Sequence, residues 1–195
     1  WAWFGYPIIK TKFTNDWSLG FNYDNYGSFV NDVYNENHQY RYNLNTSFNI
    51  TPIQQLVIAL SGRASLADSR LSMNTERNQF SQTYKAGLSV KWQFLTKTFF
   101  ESNFDYEFYR NSLYGYVKNI PVLNASVRQL IGKKNHFEVR LAAFDIFNKR
   151  QYVQQYSYQN YYGRSVAETL ARYFMLSVSY NIKGYETKLK KNRYF

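Results

Sequence analysis

Stretches of about ten residues in which every second side chain is apolar or aromatic, and those between are polar or charged, recur along this chain. Over residues 40–50, Tyr40, Tyr42, Leu44, Phe48 and Ile50 alternate with Arg41, Asn43, Asn45, Ser47 and Asn49. A period of two places one set on each face of a β-strand, here one face for oil and one for water. Trp17, Leu19, Phe21 and Tyr23 repeat the pattern against Ser18, Gly20, Asn22 and Asp24. It returns in Tyr84, Ala86, Leu88, Val90, Trp92 and Phe94, with Lys85 and Lys91 among the residues between them. Full charges in mid-strand have little place in a sandwich core. The expected fold is therefore all-β, an antiparallel transmembrane β-barrel with a wet interior.

Composition supports this and narrows the chemistry. Aromatic residues make up 21% of the 195, with 20 Tyr and 16 Phe, more than a soluble core of this size readily hides but suited to girdles flanking a hydrocarbon band. The absence of cysteine removes disulfides, thiolate metal sites and Cys nucleophiles. Mean hydropathy of -0.55 is that of a soluble protein, as it would be when half of every strand faces water. The net charge of +11 raises nucleic acid as a partner. Its distribution argues against that, because no basic stripe interleaved with stacking aromatics forms on one face. Lys183, Lys188, Lys190, Lys191 and Arg193 instead crowd a basic tail, 183–195, expected in the periplasm beyond a barrel portion at 1–182.

Turn signals fall at 14–17, 51–54, 95–98 and 132–135, and long polar connections at about 27–39, 64–79, 111–118 and 148–167. Short turns thus alternate with long loops, as in barrels with periplasmic turns and extracellular loops. About nine strands are expected, near 1–13, 17–26, 40–50, 55–63, 81–94, 99–109, 119–131, 136–147 and 169–182. Single-chain bacterial barrels have even strand numbers, and an open sheet leaves backbone groups unpaired in lipid. The odd count and the start in mid-strand point to the C-terminal part of a larger barrel, such as one of about 22 strands, or to completion by another chain.

On the sixth strand Phe100, Phe104 and Phe108 belong to the lipid face, which turns Glu101, Asp105 and Glu107 inward. Across a short turn these acids meet Lys85 and Lys91 in the lumen, and Arg128 and Arg140 join the same lumen set. The first reading of these charges is that they hold the wall together; a substrate path is the second.

Two stretches resemble a known family. Residues 139–152, Val-Arg-Leu-Ala-Ala-Phe-Asp-Ile-Phe-Asn-Lys-Arg-Gln-Tyr, are similar to the penultimate strand of TonB-dependent receptors and related outer-membrane barrels of the Bacteroidetes type, with Asp145 where Asn is commoner. Residues 171–182, Ala-Arg-Tyr-Phe-Met-Leu-Ser-Val-Ser-Tyr-Asn-Ile, resemble that family's last strand, with Ala171 for Gly and Ile182 for a terminal aromatic. The resemblance implies an outer-membrane protein forming part of the wall of a nutrient-uptake pore. It also implies that Phe174, Leu176, Val178, Tyr180 and Ile182 form the signal strand read by the barrel-insertion machinery. Implied partners are outer-membrane lipid and lipopolysaccharide, TonB through a plug-bearing N-terminal part, and a surface lipoprotein or other protein chain.

No enzyme is expected. His38 and His136 fall on different strands, and no metal-ligand spacing, nucleophile set or phosphate loop accompanies them, so neither metal nor cofactor is assigned. The connection at 151–164 is the best candidate for ligand contact: Tyr152, Tyr156, Tyr158, Tyr161, Tyr162 and Arg164 offer stacking faces beside hydrogen-bonding groups suited to sugars, peptides or a protein partner. Packing of strands extended above the membrane is the plainer reading. Against the uptake pore stand a small self-contained barrel with a scaffold or adhesion role and, from another class, a soluble β-rich binding module.

Overall fold

The computed structural model describes residues 2–9, 12–73, 75–113, 115–157, 162–167 and 170–185. Among them nine strands form one antiparallel sheet: β1 (Ala2–Ile9), β2 (Phe13–Val30), β3 (Val33–Ile53), β4 (Leu56–Leu71), β5 (Gln79–Leu95), β6 (Thr98–Asn111), β7 (Tyr116–Ile131), β8 (Phe137–Phe144) and, beyond a separate hairpin of β9 (Tyr152–Ser157) and β10 (Tyr162–Ala167), β11 (Tyr173–Tyr180). Each strand pairs with its sequence neighbour, except that β11 lies beside β8. β1 and β11 are edges, so the sheet is not closed. No helix among the described residues is long and apolar enough to cross a membrane; crossing falls to the strands.

Register carries the alternating pattern from strand to strand. Phe48, Leu60, Leu88, Phe104 and Leu123 are successive cross-strand partners. Leu56, Trp92, Phe100, Val127, Leu141 and Leu176 form a second such row. A slip of one residue at any interface would turn a whole strand over and put its charges among these apolar rows, which is why the pairing is so regular. Aromatic pairs edge the band: Trp17 stacks on Phe4 and meets Phe48 edge-on, and Phe137 packs on Tyr180 at 4.9 Å at the same end of the sheet. Farther along the same strand pair Phe21 meets Tyr42 and Tyr23 meets Tyr40, with centroids 5.1 and 5.0 Å apart.

Several expected boundaries are corrected. The turn expected at 14–17 lies inside β2: Asn15 and Asp16 read as turn residues, but Asp16 accepts a hydrogen bond from Ser47 Oγ across the strand pair. The reversal sits nearer residue 12, whose N–H bonds Ile9 O. The loop expected at 27–39 is instead strand. Val30 and Val33 are joined by Asn31 and Asp32 with φ of +50° and +63°, a two-residue hairpin turn of the kind that matches strand twist. Gly27 belongs to this hairpin because the Tyr34 ring occupies the space a Cβ would take. Likewise β4 runs to Leu71, so that only 72–78 of the expected loop at 64–79 is connection. β2 and β3 contain 18 and 21 residues, whereas about 9–11 tilted residues span a membrane, so this hairpin stands well clear of the hydrocarbon band.

The eighth strand ends at Phe144, not at 147. Asp145 and Asn148 adopt left-handed φ of +48° and +53°, and the chain folds back over β7, where Ile146 N–H bonds Leu123 O. The connection expected at 148–167 holds the β9–β10 hairpin, in register from Tyr152 opposite Ala167 to Ser157 opposite Tyr162. Its alternation of Tyr, Val and Gln is strand composition.

Candidate functional site

The inner face of the sheet is organised by two adjacent rungs. One runs Trp3, Ser18, Asn45, Arg63, Lys85, Glu107 and Ile120 across β1 to β7. The next runs Gly5, Asp16, Ser47, Ser61, Gly87, Asp105 and Val122. Residues of both rungs, joined by Arg150 and Gln151, line one cleft of about 660 Å³. A single cavity touched by strands from β1 to β7 means that the sheet curls around it.

Bonds along the first rung make it a ladder. Asn45 donates to Ser18 Oγ at 3.0 Å and accepts from Arg63 Nε at 2.6 Å. Lys85 Nζ reaches Glu107 at 3.0 Å, and Lys118 Nζ reaches the other oxygen at 3.1 Å. Glu107 thus bridges two lysines, one of them only 10% exposed. Arg63 and Lys85 are direct partners of like charge, and each turns to an acceptor on its far side.

A second cluster lies toward the short-turn end. Arg128 contacts Glu138 at 3.1 Å and Glu101 at 3.8 Å, and its guanidinium sits 4.1 Å from the Phe99 ring centroid. Arg140 contacts Glu101 at 3.6 Å and donates to Ser126 Oγ at 3.0 Å. Phe99 and Leu130 are fully buried here, apolar residues beside the charged cluster. An unshielded Arg–Phe contact is electrostatically favourable because the ring face is negative.

The expected lumen set is thus divided between two places. Lys85, Asp105 and Glu107 line the cleft, while Glu101, Arg128 and Arg140 form the second cluster. Lys91 stands opposite Glu101 in register as expected, but the Glu101 carboxylate turns to the two arginines instead. Sequence reasoning passed over Lys118, Glu138, Arg63, Asp16 and Trp3. Glu138 was accessible from its phase with Arg140; Lys118 lay in what read as a loop. Of the ligand-contact candidates, Tyr152 and Tyr156 fall on β9 and Tyr162 and Arg164 on β10, while Tyr158 and Tyr161 lie outside the described residues. Phe174, Leu176, Val178 and Tyr180 share one face of β11, with Leu176 and Val178 about two-thirds exposed; Ile182 lies beyond the strand.

The last-third motifs acquire a structural account. Asp145 is buried, and its two carboxylate oxygens accept the N–H groups of Lys149 at 3.1 Å and Arg150 at 2.9 Å. Asn148 accepts from Arg172 N–H at 2.9 Å, and Arg172 Nη1 donates to Ile146 O, so the turn after β8 is tied to the start of β11.

An antiparallel sheet whose outer rows are continuously apolar between aromatic edges, and whose inner rungs are charged and open to water, is the wall of an outer-membrane β-barrel. The chain belongs to the outer membrane protein beta-barrel family, which matches residues 10–180. Its location is the outer membrane. No curated protein and no solved structure matches it.

Proposed function

We propose that this chain forms part of the wall of a nutrient-uptake pore in a protein of the TonB-dependent receptor type. The observation that carries the reading is the pair of inner rungs: the five strands β2 to β6 contribute polar or charged side chains to one wet cleft, while the sheet that bears them stays open at β1 and β11. Open edges in hydrocarbon cost several kcal/mol for each unpaired backbone group, so further strands complete the wall. A wide lumen of that kind suits passage of a polar solute. The motifs at 139–152 and 171–182 support the receptor assignment.

Uptake of a panel of labelled nutrients in cells lacking this protein, compared with cells lacking TonB, tests it. At least one nutrient lost in both strains is expected. If the protein-deficient cells take up every nutrient that TonB-deficient cells cannot, the reading fails.

A further inference from the structure

The two ends of the sheet differ sharply in charge. Within the described short turns, residues 12, 54–55, 96–97 and 132–136, together with the segment 181–185 that follows β11, there are five lysines and no Asp or Glu. The opposite connections mix signs, with Asp32, Glu76 and Asp145 beside Arg77, Lys149 and Arg150.

Three of the lysines are brought together by tertiary contacts. Asn181 N–H bonds His136 O, His136 Nδ1 lies 2.8 Å from Asn181 O, and Tyr185 N–H bonds Asn135 O. The segment after β11 is thereby fastened to the β7–β8 turn, placing Lys183 beside Lys133 and Lys134, all exposed. Lys97 Nζ donates to Gly132 O at 2.7 Å in the same turn. Apolar side chains share this rim: Leu95, Ile131 and Ile182 are exposed. The nearest acid on these strands, Glu138, is engaged with Arg128 on the inner face.

Lysines with no ion-pair partner among the described residues, next to exposed aliphatic residues and just past the Phe137–Tyr180 aromatic pair, fit the headgroup level of a bilayer: the aliphatic groups enter the acyl boundary while the ammonium groups meet phosphate. A soluble or cell-wall polyanion would have no use for the aliphatic groups. We propose that the short-turn rim formed by Lys133, Lys134 and Lys183 is a binding site for the headgroups of anionic phospholipids in the periplasmic leaflet.

The protein, purified in the assembly in which it is expressed, is reconstituted in phosphatidylcholine vesicles carrying a trace of spin-labelled phosphatidylglycerol or spin-labelled phosphatidylcholine, and the motionally restricted fraction of each label is read. The phosphatidylglycerol label is expected to be enriched about threefold or more at low salt, with the preference falling as salt rises. The variant carrying Lys133→Gln, Lys134→Gln and Lys183→Gln should lose the preference, and the matching Lys→Arg variant should keep it. Heat-modifiable mobility verifies that both are folded. Equal restriction of the two labels by the unsubstituted protein overturns the proposal, as does a preference that survives the Gln variant. Lysine-dependent sedimentation with purified peptidoglycan, without any lipid preference, would assign the rim to the cell wall instead.

Discussion

Arg128 of β7 and Arg140 of β8 are direct cross-strand partners, so two guanidinium groups face each other across one rung of the inner face. Like charges placed directly opposite destabilise a strand pair. They are tolerated because Glu101 reaches both from the neighbouring strand and Glu138 holds Arg128 from the other side. Two carboxylates thus balance two arginines in a half-buried cluster.

Removing one carboxylate leaves the arginines facing each other with a single counter-charge. Glu101→Gln is expected to destabilise the protein by about 1–3 kcal/mol, read as a lower urea midpoint for refolding in vesicles. Adding Arg140→Gln to that variant should restore part of the loss. Additive effects of the two substitutions would show that Glu101 and Arg140 are not coupled.

The register divides neighbouring residues sharply between faces. Leu88 sits in an outer row between Leu60 and Phe104, and Val178 stands opposite Val139. Arg at Leu88 or Val178 should cost about 2–4 kcal/mol near the midplane, whereas Ser89→Arg, on the inner face, should be tolerated. Equal damage at all three positions in the same refolding assay would contradict the face assignment.

Asp145 uses both carboxylate oxygens on backbone N–H groups while holding a left-handed φ. Asp145→Asn keeps one acceptor and a residue that tolerates this backbone region, so a loss of about 1 kcal/mol is expected. Asp145→Ala removes both acceptors and favours a different backbone region, and should cost about 2–4 kcal/mol. Protease susceptibility of the 145–150 segment, measured in intact cells, should rise in the order wild type, Asn, Ala.

For the last strand, replacing Phe174 and Tyr180 together with Ser should lower the amount of folded protein in the outer membrane far more than replacing Tyr156 and Tyr158. Tyr180 packs against Phe137 and His136, so its loss also loosens the seam between β8 and β11. An unchanged level of surface-exposed, folded protein in the Phe174/Tyr180 variant would remove the insertion-signal role.

The sequence by itself determined the fold class, the number of strands in the main sheet, and which face of most strands meets lipid, because a period of two is a local property that each strand displays independently of its neighbours. The lumen position of Lys85 and Glu107 followed from that phase alone. What only the tertiary structure decided depends on contacts between residues far apart in sequence. Asn15 and Asp16 have the composition of a turn, yet pairing with Phe48 and Ser47 draws them into β2. The polar residues near 35–39 look like a loop, but Asn35 and Asn37 find partners in Ser72 and Ser69 of a distant segment and become buried strand. Glu101 illustrates the limit most directly: its phase placed it inward and opposite Lys91, but its choice of Arg128 and Arg140 was settled by the curvature and register of strands that start 15 and 36 residues later. Alternation reports the face of a side chain; only the assembled sheet, by bringing several candidate partners within a few ångströms at once, selects the one it bonds.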